Sequence, residues 1–267
     1  MSEQQLTVTV QQALDLATQH HTAGRLSQAE NVYQQILQND PNQPSALHLL
    51  GVIAHQRGQN DTAVEFITKA LTLEPNQAQA HYNLGLTLRD LGRLEEAVSS
   101  YHKALALKPD YAEALNNLGT AFRELGKLED AVSSYRQALA LKPNYVEAHS
   151  NLGVALEDLG KPEEALARHR KALALQPNYM EAHHNLGITL RKLGKLESAV
   201  ESYHKALAIR PDFAEAHNNL GTALKELGKL DDAVVAYRKA FAVKPEYAEA
   251  HSNLGNALRD LGELDAA

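Results

Sequence analysis

Residues 112–145 read AEALNNLGTAFRELGKLEDAVSSYRQALALKPNY, and this stretch decides the fold. From Ala112 to Leu125 the apolar residues Leu115, Leu118, Phe122 and Leu125 fall at steps of three and four, which is one stripe of an α-helix. Gly126 supplies the residue type that tolerates a left-handed conformation at a helix C-terminus. Lys127 and Leu128 are expected to make the turn. A second helix is expected from about Glu129 to Leu141, with Ala131, Val132, Tyr135, Ala138 and Leu139 on its buried side. Pro143 cannot continue that helix and pushes the preceding residue towards extended geometry. Gly119 lies inside the first helix, where it costs about 1 kcal/mol relative to alanine. Its missing side chain is expected to let the second helix approach closely.

The stretch is one copy of a block that recurs along the chain. Gly51, Gly85, Gly119, Gly153, Gly187, Gly221 and Gly255 are each 34 residues apart. A second glycine follows seven residues after each (Gly58 to Gly262), an alanine after twelve (Ala63 to Ala267), and a proline after twenty-four (Pro75 to Pro245). A period of this length signals a stacked array of identical supersecondary units, each burying its apolar face against its neighbours. One variant is informative. Pro162 replaces the usual leucine after Gly160 and Lys161, and proline suits the first position of a helix.

Composition narrows the function. A formal net charge of −7 disfavours a nucleic-acid partner, which needs clustered Lys and Arg. The chain has no cysteine, so disulfides and thiolate metal sites are excluded. The opening MSEQQLTVTV has no basic segment followed by an apolar run, and no later run approaches a membrane span. The expectation is a cytoplasmic chain without membrane association.

The small residues, the Leu118-Gly119 pair, Tyr135 and Pro143 resemble the signature of the tetratricopeptide repeat. The resemblance covers roughly residues 10–267, after an N-terminal tail of residues 1–9. Eight copies fit, starting near Val10, Pro44, Ala78, Ala112, Val146, Met180, Ala214 and Ala248. The first is degenerate, with Ala17 for the glycine. Ile67 and His169 stand where tyrosine is usual. The eighth stops at Ala267, and the Leu264 side of its second helix has nothing to complete it, so a truncated array is expected. The resemblance implies an all-α fold, an α-solenoid of antiparallel helix pairs wound into a right-handed superhelix with a concave groove.

Repetition creates false motifs. Gly126-Lys127 and its equivalents look like the end of a phosphate-binding loop, but the preceding glycine is seven residues back and Leu or Pro follows where Ser or Thr is required. His81, His149, His183, His217 and His251 recur at the repeat period, so successive members stand on the order of 10 Å apart. Zinc ligands must converge within about 2.1 Å of one ion. The row is expected to pack at interfaces, with no metal and no cofactor. Serines such as Ser99, Ser100, Ser133 and Ser134 are expected on the exposed side of second helices. No Ser, His and acid cluster stands out, so the chain is not expected to be an enzyme.

What remains is a stripe on each first helix. Its most regular member is asparagine, at Asn83, Asn117, Asn151, Asn185, Asn219 and Asn253, always two residues before the glycine. An amide offers an acceptor and two donors, so such a row can hold an extended peptide by its backbone whatever the side chains. Tyr82, Asn116, Ser150, His184 and Asn218 precede these asparagines, and Arg89, Arg123 and Arg191 follow. These are the candidates for setting groove specificity. The expected role is a protein-interaction scaffold that binds an extended peptide or partner protein in its groove. The unbroken asparagine row also resembles the N-terminal superhelix of protein O-linked N-acetylglucosamine transferases and their bacterial relatives. That implies a substrate-recognition arm whose catalytic domain is absent from this chain. A third expectation is end-to-end self-assembly through incomplete ends.

Overall fold

The computed structural model describes residues 9–262, and among these there are fifteen α-helices and no strand. The expectations placed on Leu264 and Ala267 lie outside the described residues. Contacts divide the chain after Lys127 into two compact units. The first holds α1 (Val10–Thr22), α2 (Leu26–Asn39), α3 (Pro44–Gln56), α4 (Asn60–Leu73), α5 (Ala78–Asp90), α6 (Leu94–Leu107) and α7 (Ala112–Glu124). The second holds α8 (Leu128–Leu141), α9 (Val146–Asp158), α10 (Pro162–Leu175), α11 (Met180–Lys192), α12 (Leu196–Ile209), α13 (Ala214–Glu226), α14 (Leu230–Val243) and α15 (Ala248–Leu261). Leu128 therefore opens a helix rather than ending a turn. No described helix is long and apolar enough to cross a membrane.

The repeat formed by α11 and α12 shows why the sequence folds this way. The end of α11 is closed by two backbone bonds, Gly194 N–H to Arg191 C=O at 2.9 Å and Lys195 N–H to Leu190 C=O at 2.9 Å. This bonding pattern needs a left-handed residue after the helix, and Gly194 has φ of +68°. The chain then reverses into α12, whose Ala199, Tyr203 and Ala206 are fully buried. Gly187 meets Tyr203 at the crossing. A β-carbon on Gly187 would lie 2.5 Å from the Tyr203 ring, so only glycine admits the ring at this depth. Burying such a side chain contributes roughly 1.5–3 kcal/mol. The same fit recurs with Gly85 under Tyr101 and Gly221 under Tyr237. Gly51 lies under Ile67 and Gly153 under His169 in the same way. Pro162 occupies the first turn of α10 and Pro44 that of α3.

Within each unit the two helix sets differ. Consecutive first helices touch one another, α3 with α5 and α5 with α7 in the first unit, and α9 with α11, α11 with α13 and α13 with α15 in the second. Second helices mainly touch the first helices on either side of them. Each unit is therefore tighter along its first-helix face, which is its inner face. The second helices form the outer face, with their polar residues outward. Ser99 and Ser133 are exposed there, but Ser100 and Ser134 are buried, contrary to expectation. Their hydroxyls donate to the Glu96 and Asp130 carbonyls at 2.9 and 2.8 Å, which removes the need for water.

Candidate functional site

The asparagine row lies on the inner face of each unit, and every member is half-buried. Its amides are already partly committed. In the first unit Asn83 Nδ2 donates to His48 Nε2 at 2.8 Å, and Asn117 Nδ2 donates to the Tyr82 hydroxyl at 2.9 Å. In the second unit Asn219 Nδ2 donates to His184 Nε2 at 3.0 Å, and Asn253 Nδ2 donates to Asn218 Oδ1 at 3.0 Å. In all four cases the partner is 35 residues back; for Asn117, Asn219 and Asn253 it is the residue just before the preceding repeat's asparagine, and His48 stands at the same place before Leu49. The amide NH2 groups are rungs that tie neighbouring repeats together. Asn151 and Asn185 occupy the same place on α9 and α11.

The residues just before the asparagines sit deeper than the sequence suggested. Asn116 and Asn218 are 6% and 0% exposed, so neither lines an open surface. Ser150 is 2% exposed. Asn218 also donates to Glu249 Oε1 at 3.1 Å, which satisfies both ends of its amide. Tyr82 and His184 play equivalent parts. The Tyr82 ring centroid lies 6.1 Å from Tyr101 and 4.9 Å from Tyr111, and His184 lies 5.9 Å from Tyr203 and 4.7 Å from Phe213. Each wedges between the second-helix aromatic and the aromatic before the next first helix. Burial pushes the His48 and His184 imidazoles down to about 4. Neutral rings suit their role, because an amide NH2 can pair only with an unprotonated ring nitrogen.

A second ladder runs beside the first. Its rungs join the residue four after one repeat's glycine to the residue five after the next repeat's. In the first unit His55 Nε2 donates to Asp90 Oδ2 at 2.8 Å. In the second, Arg191 Nη1 pairs with Glu226 Oε1 and Lys225 Nζ with Asp260 Oδ2, each at 2.7 Å. One rung is reversed. Glu157 Oε1 takes Lys192 Nζ at 2.6 Å, while its Oε2 accepts from the Thr189 hydroxyl at 2.6 Å. Arg89 donates to Asn117 Oδ1 and pairs with Asp90, both at 3.2 Å. Arg123 is half-buried at the same place on α7. The groove charges expected to select a ligand are thus largely spent on one another.

The periodic histidines hold the turns. His81, His149, His183, His217 and His251 each bring Nε2 to the carbonyl of the proline six residues earlier, at 2.8–3.0 Å. Burial lowers the pKa of His149 and His217, so Nε2–H is the donor and Nδ1 is bare. No cluster of His, Cys, Asp or Glu among the described residues could hold a metal ion.

Descriptions of the TPR repeat match residues 85–122, 119–160, 157–194, 187–228 and 221–262, and a related tetratricopeptide repeat description matches residues 20–85. The chain belongs to the tetratricopeptide repeat family. No curated protein matches the sequence significantly. Among solved structures, the APC/C hetero-tetramer Cut9-Hcn1 is similar at 18% identity with a TM-score of 0.79, over 94% of this chain and 49% of that one. The chain thus spans about half the length of that relative, and the likeness speaks for the fold alone. PilF of Pseudomonas aeruginosa is similar at 25% identity and a TM-score of 0.68, over 78% of this chain and 95% of that one. YrrB, described as a TPR protein with an unusual peptide-binding site, is 25% identical with a TM-score of 0.56, over 71% of this chain and 97% of that one. Tetratricopeptide repeats generally serve as protein-interaction scaffolds, and nothing in these matches points to a catalytic domain within this chain.

Proposed function

We propose that the inner face of the second unit holds an extended segment of a partner protein, with its asparagine row gripping the ligand backbone. The observation that carries the reading is the one-sided use of two amides in the second unit. Asn219 and Asn253 spend Nδ2 on the preceding repeat, while their Oδ1 atoms make no hydrogen bond among the described residues. Each is left as an acceptor for a ligand N–H. Neighbouring first helices stand about 10 Å apart, and an extended chain in the polyproline II conformation rises about 3.1 Å per residue and repeats its orientation every third residue. One amide therefore meets the ligand about every third residue. The paired charges beside the row leave little net charge, so recognition rests on the backbone more than on ligand charge.

Panning a random-sequence peptide library against the protein, and against an Asn185→Ala, Asn219→Ala, Asn253→Ala variant, tests the reading. Peptides should be enriched by the parent and lost by the variant while its helicity is retained. Equal enrichment, or none by the parent, contradicts it. The glycosyltransferase-arm reading is the finer alternative. It requires a nucleotide-sugar-binding domain in the same polypeptide, which the sequence of the encoding gene would reveal.

A further inference from the structure

Sites that depart from the repeat are where a periodic chain can carry something singular. On the outer face of the second unit, α14 departs from the other second helices. Val235 stands where earlier repeats have Ser99, Ser133, Ala167 and Glu201. The next residue, Ala236, replaces Ser100, Ser134, Arg168 and Ser202. The result is an apolar groove of about 700 Å³ between α12 and α14, floored by Leu220 and Leu224 of α13. Val235 is 52% exposed on its rim and Val243 40%.

The charges around Val235 point to the occupant. Asp231 and Asp232 lie four and three residues before it, and Arg238 and Lys239 lie three and four after it. None of the four makes a hydrogen bond or ion pair among the described residues. Residues three and four apart share a helix face, so the outward stripe of α14 reads acid, valine, base. That pattern is its own complement when reversed. We propose that α14 docks antiparallel against α14 of a second copy of this chain, about a two-fold axis at Val235. The two valines then meet at the axis, Asp231 and Asp232 of each copy face Lys239 and Arg238 of the other, and the apolar rims are covered. An isologous contact of this kind closes at two chains. A single helix pair buries less than the 1,200 Å² or so of a standard stable interface, so the association is weak and follows concentration.

Sedimentation equilibrium over about a hundredfold range of concentration tests the proposal. The mass should rise from one chain to two and stop there. Val235→Glu installs the residue that α12 carries at the same place, where Glu201 pairs with Lys205 at 2.7 Å in the folded chain. That variant should keep its helicity and associate at least about tenfold more weakly. A charge exchange guards against a folding defect. Asp231→Lys with Asp232→Lys should be monomeric, as should Arg238→Asp with Lys239→Asp, and mixing the two should restore dimers. A parent that stays monomeric, a mass that climbs past two chains, dimers that survive Val235→Glu, or two charge variants that fail to combine would each overturn the proposal.

Discussion

The repeat of α9 and α10 and the repeat of α11 and α12 sit side by side with the same backbone and different chemistry. Both turn through a left-handed glycine, Gly160 at φ +73° and Gly194 at +68°. Both press a ring onto a bare glycine. In one the ring is Tyr203. In the other it is His169, fully buried with neither ring nitrogen partnered. The outgoing rung is Arg191 to Glu226 in one and the reversed Glu157 to Lys192 in the other. The scaffold therefore fixes shape at the glycines and alanines and tolerates polar exchange wherever both ends of a contact change together.

The largest difference should come from the glycine crossing. Gly187→Leu drives a side chain into the Tyr203 ring and should cost about 3 kcal/mol or more. Gly194→Ala meets nothing within 4 Å and should cost only the left-handed backbone strain, about 1–2 kcal/mol. Urea unfolding of the two variants should separate them clearly.

The buried imidazole comes next. Burial holds His169 at about 4 in the folded chain, against about 6.5 when unfolded. The unfolded state therefore binds more protons between those values, and stability falls as pH drops through this window. His169→Phe removes that contribution and fills the place that Tyr203 fills next door. Its gain over the parent should be about 2 kcal/mol greater at pH 5 than at pH 8. Melting curves at the two pH values check this, and an equal gain at both would show that the ring is not buried neutral.

The reversed rung gives a smaller effect. Glu157 is only 9% exposed, but Lys192 is 48% exposed, so solvent weakens their pairing. Lys192→Glu should cost about 1–2 kcal/mol by placing two carboxylates together. Adding Glu157→Arg turns the rung to the direction of Arg191 and Glu226 and should recover most of that loss. A double variant as unstable as the single one would mean that the rung direction is set by Thr189 rather than by charge.

The sequence made the crossing legible because glycine, alanine and a ring recur at fixed offsets, and each type has one steric purpose. It made the asparagine row legible as a row, but not as a set of rungs. A 34-residue period suggests that residue i faces residue i+34, whereas the packing places i against i+35. With that one-residue offset, Tyr82, His184 and Asn218 move from a free stripe to the junction between repeats. The charge ladder left one sequence signal. Glu157 and Lys192 change sign together while their equivalents do not, as partners would. The proline carbonyls held by the histidines left none, because a backbone acceptor has no residue type.

The central claim is that Asn219 and Asn253 offer their carbonyl oxygens to the backbone of an extended ligand. The most direct measurement takes a peptide enriched by the parent protein and methylates its backbone nitrogens one at a time. Binding should weaken about tenfold or more, the loss of a buried hydrogen bond, at positions three residues apart, and change little between them. A peptide that binds equally well wherever it is methylated would contradict the account.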